Sequence, residues 1–291
     1  MYNLSGYSEN DLKGLLFVMS FWHQLLTWMD TSMEVPQSFG TFHLIWLALS
    51  FLAVIPLLCF PKKQSPDHVR RVVLVTAIIV ILFEVYKQIN FSFQPDNNFE
   101  FDYMWYAFPF QFCSTPMYIG LLAGLTKPGK LHDSFCAYLA TFAVFAGTAV
   151  MLYPGNVFIE TAGINVQTMV CHGSMITMGI YLYATGHVKL SHKTILKALP
   201  VFATTLGLAL VMNEVAHANL PEGTEFNMFY ISPYFENYLP IYSDIHRTVP
   251  APWNILIYIA GFTAAAYVIL LLAMAIGKLV RKVRRIPEAV A

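Results

Sequence analysis

The run NILIYIAGFTAAAYVILLLAMAIGKLVRKVRR, residues 254–285, is uncharged up to Lys278 and then carries five basic residues in quick succession. An apolar stretch of this kind is long enough to cross the hydrocarbon core as a helix, which takes about 20 residues. The basic cluster behind it is of the type retained on the cytoplasmic side. One segment thus sets both the class of the fold and its expected orientation.

The whole chain agrees with that segment. Its 291 residues are 57% hydrophobic and 12% charged, where a soluble domain carries about a quarter charged residues. Net charge is zero, with 17 basic and 17 acidic residues, so there is no basic footprint and no nucleic-acid partner is expected. Seven apolar spans follow from the hydropathy, near residues 41–60, 71–91, 107–126, 134–153, 165–186, 195–217 and 254–277. An eighth stretch, residues 14–29, is interrupted by Ser20, His23 and Gln24 and carries two tryptophans. It reads as a helix lying in the interface. It lacks the basic start and small-residue cleavage site of a signal peptide. The expected fold is all-α: a polytopic membrane bundle of about seven helices plus that interfacial helix. Residues 1–40 form the outer amino-terminal segment, 41–277 the transmembrane domain and 278–291 a basic cytoplasmic tail.

Fourteen of the 17 basic residues fall in the loops after spans 1, 3 and 5 and in the tail; only Lys13, Lys87 and Arg247 fall elsewhere. The positive-inside rule then predicts the amino terminus outside and the carboxyl terminus in the cytoplasm. On the predicted outer side lie residues 92–106, with Asp96, Glu100 and Asp102 among aromatics, and the long segment 218–253, rich in Pro, Tyr, Phe and Asn. Long loops of this sort often serve as lids or binding elements.

Orientation assigns each polar residue in a span a depth. Cys113 lies about six residues in from the outer end of span 3, roughly 9 Å at the helical rise. His172 in span 5, Glu84 in span 2 and Asn213 in span 6 fall at similar depth, with Glu214 and His217 above Asn213 and His43 at the outer end of span 1. Ionisable groups at such depth are costly and face a cavity or one another. Each has an ordinary explanation. A membrane cysteine is commonly a small packer, histidine and asparagine commonly bond a neighbouring helix, and Glu84 can pair with Lys87 or bond Gln88 on its own helix. The coincidence of depth favours a functional pocket. A Cys113–Cys171 disulfide is ranked below a free thiol. No paired CxxC spacing occurs, so no metal is expected. Neither a nucleophile elbow nor a phosphate or dinucleotide loop is present, and no cofactor is expected.

The ordered set FHLIW (42–46), FEVYKQ (83–88), FPFQFCST (108–115), GTAVMLYPGN (147–156), CHGSMITMGIYLY (171–183) and NEVAHANLPEGTEFNMFYISPYF (213–235) resembles the YwaF-like bacterial membrane proteins. These are related to the transmembrane protein 164 group of lipid acyltransferases, which use a cysteine and a histidine. The resemblance covers about residues 39–277. It implies a bacterial plasma membrane protein with Cys113 and His172 as catalytic residues and a membrane phospholipid as acyl donor or substrate. The chain departs from the family pattern in three places. Gln111 stands where a histidine is usual, Met228 follows Asn227 in place of tyrosine, and Ser232 precedes Pro233 in place of lysine.

Cys113 would take an acyl group from a lipid ester, with His172 as base, giving transacylation or, with water as acceptor, hydrolysis. Asn213 or Glu84 are candidates to orient the imidazole. Gln111, Ser114 or backbone amides are candidates for the oxyanion. His43, Glu214, His217, Asn227 and Pro233 are candidates for the pocket wall or lid. Two other classes stay open: a small-solute or ion transporter whose path passes Glu84, and a seven-helix sensor or binding protein without catalysis.

Overall fold

The structure, a computed structural model, describes residues 9–59, 64–235, 237 and 239–284. Among them are eleven α-helices and no extended sheet; the single bridge pairs Ser32 with Thr161. The helices are α1 (Glu9–Met29), α2 (Thr41–Leu52), α3 (Val54–Cys59), α4 (Pro66–Ser92), α5 (Thr115–Leu125) and α6 (Lys130–Ala140). They continue as α7 (Phe142–Leu152), α8 (Ala162–Ala184), α9 (Lys193–Asn219), α10 (Tyr242–Thr248) and α11 (Trp253–Arg284). Five segments are long and apolar enough to cross a membrane: 41–59, 66–97, 130–152, 193–219 and 253–283.

Two of the seven expected spans depart from that test, each for a physical reason. Span 5 is α8, which is too polar to qualify. It packs against α2, α4, α6 and α7, so its Asn165, Gln167, Thr168, His172 and Thr177 are buried in protein. Span 3 is helical only over α5, eleven residues. Pro116 has no N–H to bond the Phe112 carbonyl, and the Thr115 hydroxyl takes that acceptor instead at 2.9 Å, so the helix begins there. Cys113 therefore sits in the turn ahead of α5. Span 1 divides at Ala53 ahead of Pro56, and span 4 divides at Thr141, whose hydroxyl folds back onto the Ala137 carbonyl. The expected tail continues α11 as helix to Arg284, and residues 285–291 lie outside the described ones.

The surface is apolar where a soluble protein's would be charged. On α4 the inward face is Val69, Val73, Ala77, Val80 and Glu84, a helical period. The opposite face exposes Val75, Ile78, Ile79, Leu82 and Val85. Exposed Leu44, Ile45 and Leu49 on α2 and Leu208, Val211 and Val215 on α9 repeat the pattern. Helices apolar on both faces need a lipid neighbour, so the protein is integral to a membrane. On α1, Met19, Phe21 and Trp28 are likewise exposed.

Small residues let α8 sit close to its neighbours. A Cβ at Gly147 of α7 would stand 2.6 Å from the His172 carbonyl oxygen and 2.9 Å from Met175 Cβ. Gly147→Ala must push α7 off α8, at a cost of about 1–3 kcal/mol. A lowered melting temperature in detergent is the expected result. The two ends of the bundle differ. One gathers residues 64–65 and the loops at 126–129 and 185–192, tied by Tyr181 to Gln64 at 2.7 Å and Lys197 to Asp133 at 2.8 Å. The other gathers residues 30–40, 93–114, 153–161, 220–235 and 239–252. There Met33 bonds Glu160, and Tyr86 and Asn90 both donate to the Met29 carbonyl.

Candidate functional site

At that second end two carboxamides hold one stretch of chain. Gln111 Nε2 donates to the Asn227 carbonyl at 2.9 Å, and its Oε1 accepts from the Phe229 N–H at 2.9 Å. Asn213 Nδ2 donates to the Met228 carbonyl at 3.0 Å, and its Oδ1 accepts from the Met228 N–H at 2.7 Å. Each side chain pairs with backbone as a neighbouring strand would. Between them they hold residues 227–229, where Phe229 has φ of 61°, a conformation costly for a bulky residue. Asn227 Oδ1 accepts from Ser232 N–H at 2.9 Å, closing the turn. Gln111 and Asn213 are thus committed to the loop. Replacing either with leucine leaves buried backbone groups unpaired, at about 1–3 kcal/mol each. Faster hydrogen exchange at the amides of Met228 and Phe229 is the expected readout.

The clamp fixes the turn carrying Cys113. Phe112 packs on Phe229, Phe145, Phe202 and Phe262, so the residue before the thiol is wedged among α7, α9, α11 and the loop. The N–H groups of Ser114 and Thr115 both donate to the Gln111 carbonyl. The half-buried Cys113 is a free thiol, as is Cys171, so the disulfide is not formed. The residue that follows Cys113, Ser114, is the N-cap of α5. The positive end of the α5 dipole points at the same turn.

His172 is 8% exposed on α8. Its Nδ1 lies 2.7 Å from the Thr168 carbonyl oxygen one turn earlier. A carbonyl only accepts, so Nδ1 carries the proton and Nε2 presents a lone pair. Nε2 is buried with no hydrogen-bond partner among the described residues; it does not bond Cys113. The residue that orients the ring is Thr168, through its backbone, and neither Asn213 nor Glu84 does so.

Glu84 forms a lattice of its own. Its Oε1 meets Lys87 Nζ at 2.7 Å and accepts from Gln88 Nε2 at 2.8 Å. Its Oε2 accepts from Gln167 Nε2 at 3.3 Å, which also reaches Cys171 Sγ at 3.4 Å. Gln88 goes on to the Ala107 carbonyl and accepts from the Tyr103 hydroxyl, both at 2.8 Å. This lattice joins α4, α8 and the segment leading to Cys113.

The remaining candidates lie at the periphery. His43 is fully buried, with Nδ1 accepting from the Phe39 N–H and Nε2 donating to the Met151 carbonyl, each at 2.8 Å. Both nitrogens are used, which makes it a tie between α2 and α7. Glu214 accepts from the exposed Tyr234 hydroxyl at 2.8 Å, and His217 stacks on the Tyr234 ring; Pro233 is exposed beside them. Sequence reasoning missed a Cys–His contact at the other end, where Cys136 Sγ lies 3.5 Å from His132 Nε2. The i, i+4 spacing on α6 could have shown it. Both are buried in the core, and neither lines the cavities described here.

Two spaces lie along α4 and α5, and the walls of neither include Cys113 or His172. A narrow cavity of about 30 Å³ runs between α4, α5, α6 and α8, lined by Ala77, Val80, Met117, Gly120, Cys171 and Met175 among others. A lateral groove of about 490 Å³ opens between α4 and the segment 101–121; its walls include Glu84, Gln88, Tyr103, Pro109 and Met117. Its size is that of a small-molecule site. No group of three or more His, Cys, Asp or Glu side chains able to hold a metal occurs among the described residues.

The family model described as the TMEM164 family matches residues 38–275. The chain belongs to the TMEM164 family. The match runs from the Phe39–His43 contact through the first two-thirds of α11 and takes in residues 93–114 and 153–161 of this end. No curated protein and no solved structure matches the chain.

Proposed function

We propose that this TMEM164-family protein is a lipid acyltransferase, with Cys113 as nucleophile and His172 as general base. The observation that carries the proposal is the His172 ring. Its Nδ1–H is fixed by the Thr168 carbonyl, and its Nε2 is buried with no hydrogen-bond partner among the described residues. A buried ring nitrogen without a partner is costly as pure structure and is what a base requires. The missing Cys113–His172 bond does not argue against the pair, because catalytic hydrogen bonds are often long before substrate binds.

In the proposed reaction, the Cys113 proton passes to His172 Nε2 and the sulfur attacks the carbonyl carbon of a phospholipid ester. The donors assigned to the oxyanion are the Cys113 N–H and the Ser114 hydroxyl, which adjoin the thiol in the chain. The ester C–O bond breaks, the departing lysolipid oxygen takes the proton from His172, and the acyl group remains as a thioester. An acceptor hydroxyl, or water, then loses its proton to Nε2 and attacks the thioester. Sulfur leaves and is reprotonated from the imidazolium. The loop end is assigned to the outer face of a bacterial plasma membrane because the basic residues collect at the opposite end. An outer site has no acyl-coenzyme A, which favours phospholipid as donor.

The test is direct detection of the intermediate. Incubation with phospholipid should add one acyl chain to Cys113 by mass, and hydroxylamine should release it. Turnover with no adduct at Cys113, under conditions that trap thioesters, would sink the mechanism.

A further inference from the structure

A wider lateral groove, of about 710 Å³, lies between α9 and α11. Its polar and apolar walls are sorted along its length. His192, Lys193 and Tyr267 line it at the end where the 185–192 loop meets α9, and Thr263 stands one helical turn from Tyr267. Beyond them the walls are apolar, with Leu199 on α9 and Leu256, Ile259 and Ala260 on α11. The two helices run in opposite directions, so both bring their polar positions to the basic end of the bundle. Tyr267 lies about 16 Å along the axis from Leu256 at the helical rise.

The polar end is cationic and uncompensated. Residues 185–213 and the whole of α11 contain no Asp or Glu. Lys197 is paired with Asp133, whereas the exposed Lys193 has no ion pair among the described residues. His192 Nδ1 lies 2.6 Å from the Tyr267 hydroxyl. A phenol donating to Nδ1 leaves the proton on Nε2, a second donor at this end. Farther in, the Thr263 hydroxyl oxygen is buried with no hydrogen-bond partner among the described residues. An unpartnered buried hydroxyl is costly, and one that lines a groove can be satisfied by what fills it.

A glycerophospholipid presents the matching groups in the same order. An anionic phosphate comes first, ester carbonyls follow a few bonds away, and the acyl chains run on from there. With the phosphate at Lys193, an ester carbonyl reaches the depth of Thr263 and a chain lies along Leu199, Ile259 and Leu256. We infer that the α9–α11 groove binds an anionic glycerophospholipid of the leaflet on the basic side, held by Lys193 through its phosphate and by Thr263 through an ester carbonyl. The head of this site is at the opposite end of the bundle from Cys113, and the inference does not depend on acyl transfer.

The experiment titrates the full chain in detergent with two probes of the same acyl chains, a phosphatidylglycerol and a diacylglycerol, and reads bound lipid by native mass spectrometry. Lys193→Gln should weaken phosphatidylglycerol binding about tenfold or more, the equivalent of one hydrogen bond to a charged group. Diacylglycerol binding should not change, and Lys193→Arg should retain the phospholipid. Thr263→Val keeps the shape, removes the hydroxyl and should weaken both lipids by about threefold to tenfold. Lys282→Gln removes a charge from the same end of the bundle outside the groove and should change neither. Equal loss with Lys282→Gln would mean attraction to the basic end as a whole and overturns the inference. So does an unchanged affinity with Lys193→Gln or with Thr263→Val. Ala264→Phe fills the groove and should displace phosphatidylglycerol. If it instead splits a dimer and leaves bound lipid unchanged, the groove belongs to a second copy of the chain and the inference fails. Absence of an acyl adduct at Cys113 bears on the transferase reading alone.

Discussion

Cys113→Ala is expected to abolish acyl transfer, lowering the rate by about a thousandfold or more, as loss of a covalent nucleophile does in other dyad and triad enzymes. The fold should survive. Cys113 lies in a turn between the Gln111 clamp and the start of α5, and its thiol forms no disulfide. Its removal costs a small apolar contact, so a melting temperature close to wild type is expected beside the lost activity. Cys113→Ser is the sharper companion. A hydroxyl occupies the same turn but is a weaker nucleophile, so a slow, hydroxylamine-resistant ester should accumulate in place of the thioester. Wild-type turnover by the alanine variant would exclude Cys113 from the chemistry altogether.

His172→Ala is expected to slow formation of the acyl intermediate by about a hundredfold to ten-thousandfold, the range for loss of a positioned general base. The second half-reaction should suffer as well, because the same Nε2 serves the incoming hydroxyl. Structure should change less than rate. The ring's one hydrogen bond runs to the Thr168 carbonyl on its own helix, which retains its helical role without it. His172→Gln separates base from filler: it occupies much of the volume and can still bond Thr168, but it offers no basic nitrogen. Stopped-flow measurement of lysolipid release should show both variants equally slow. A glutamine variant at near-wild-type rate would return His172 to a packing role.

The local half of the site was legible in the sequence because helices impose a period. Glu84, Lys87 and Gln88 fall three and four residues apart, and the ion pair and the amide bond among them form at that spacing. The bond that fixes the His172 ring has the same i, i−4 origin. The non-local half was not legible. Gln111 meets residues 227–229 across more than a hundred positions, and Asn213 reaches back to Met228 around a loop. Either amide could as well have served catalysis. Their capture by backbone depends on where an irregular loop lies, and irregular loops carry no period.

Hydropathy, charge sorting and proline position by themselves determined that this chain is a membrane helical protein with a cluster of polar residues toward one end. They do so because lipid permits few solutions for a backbone. Tertiary structure alone decided what each polar residue does. It spent Gln111, Asn213 and His43 on backbone, tied Glu84 to Lys87 and Gln167, and left His172 Nε2 without a partner among the described residues. A side chain's role follows from which donors and acceptors stand opposite it, and that is fixed only when the helices pack.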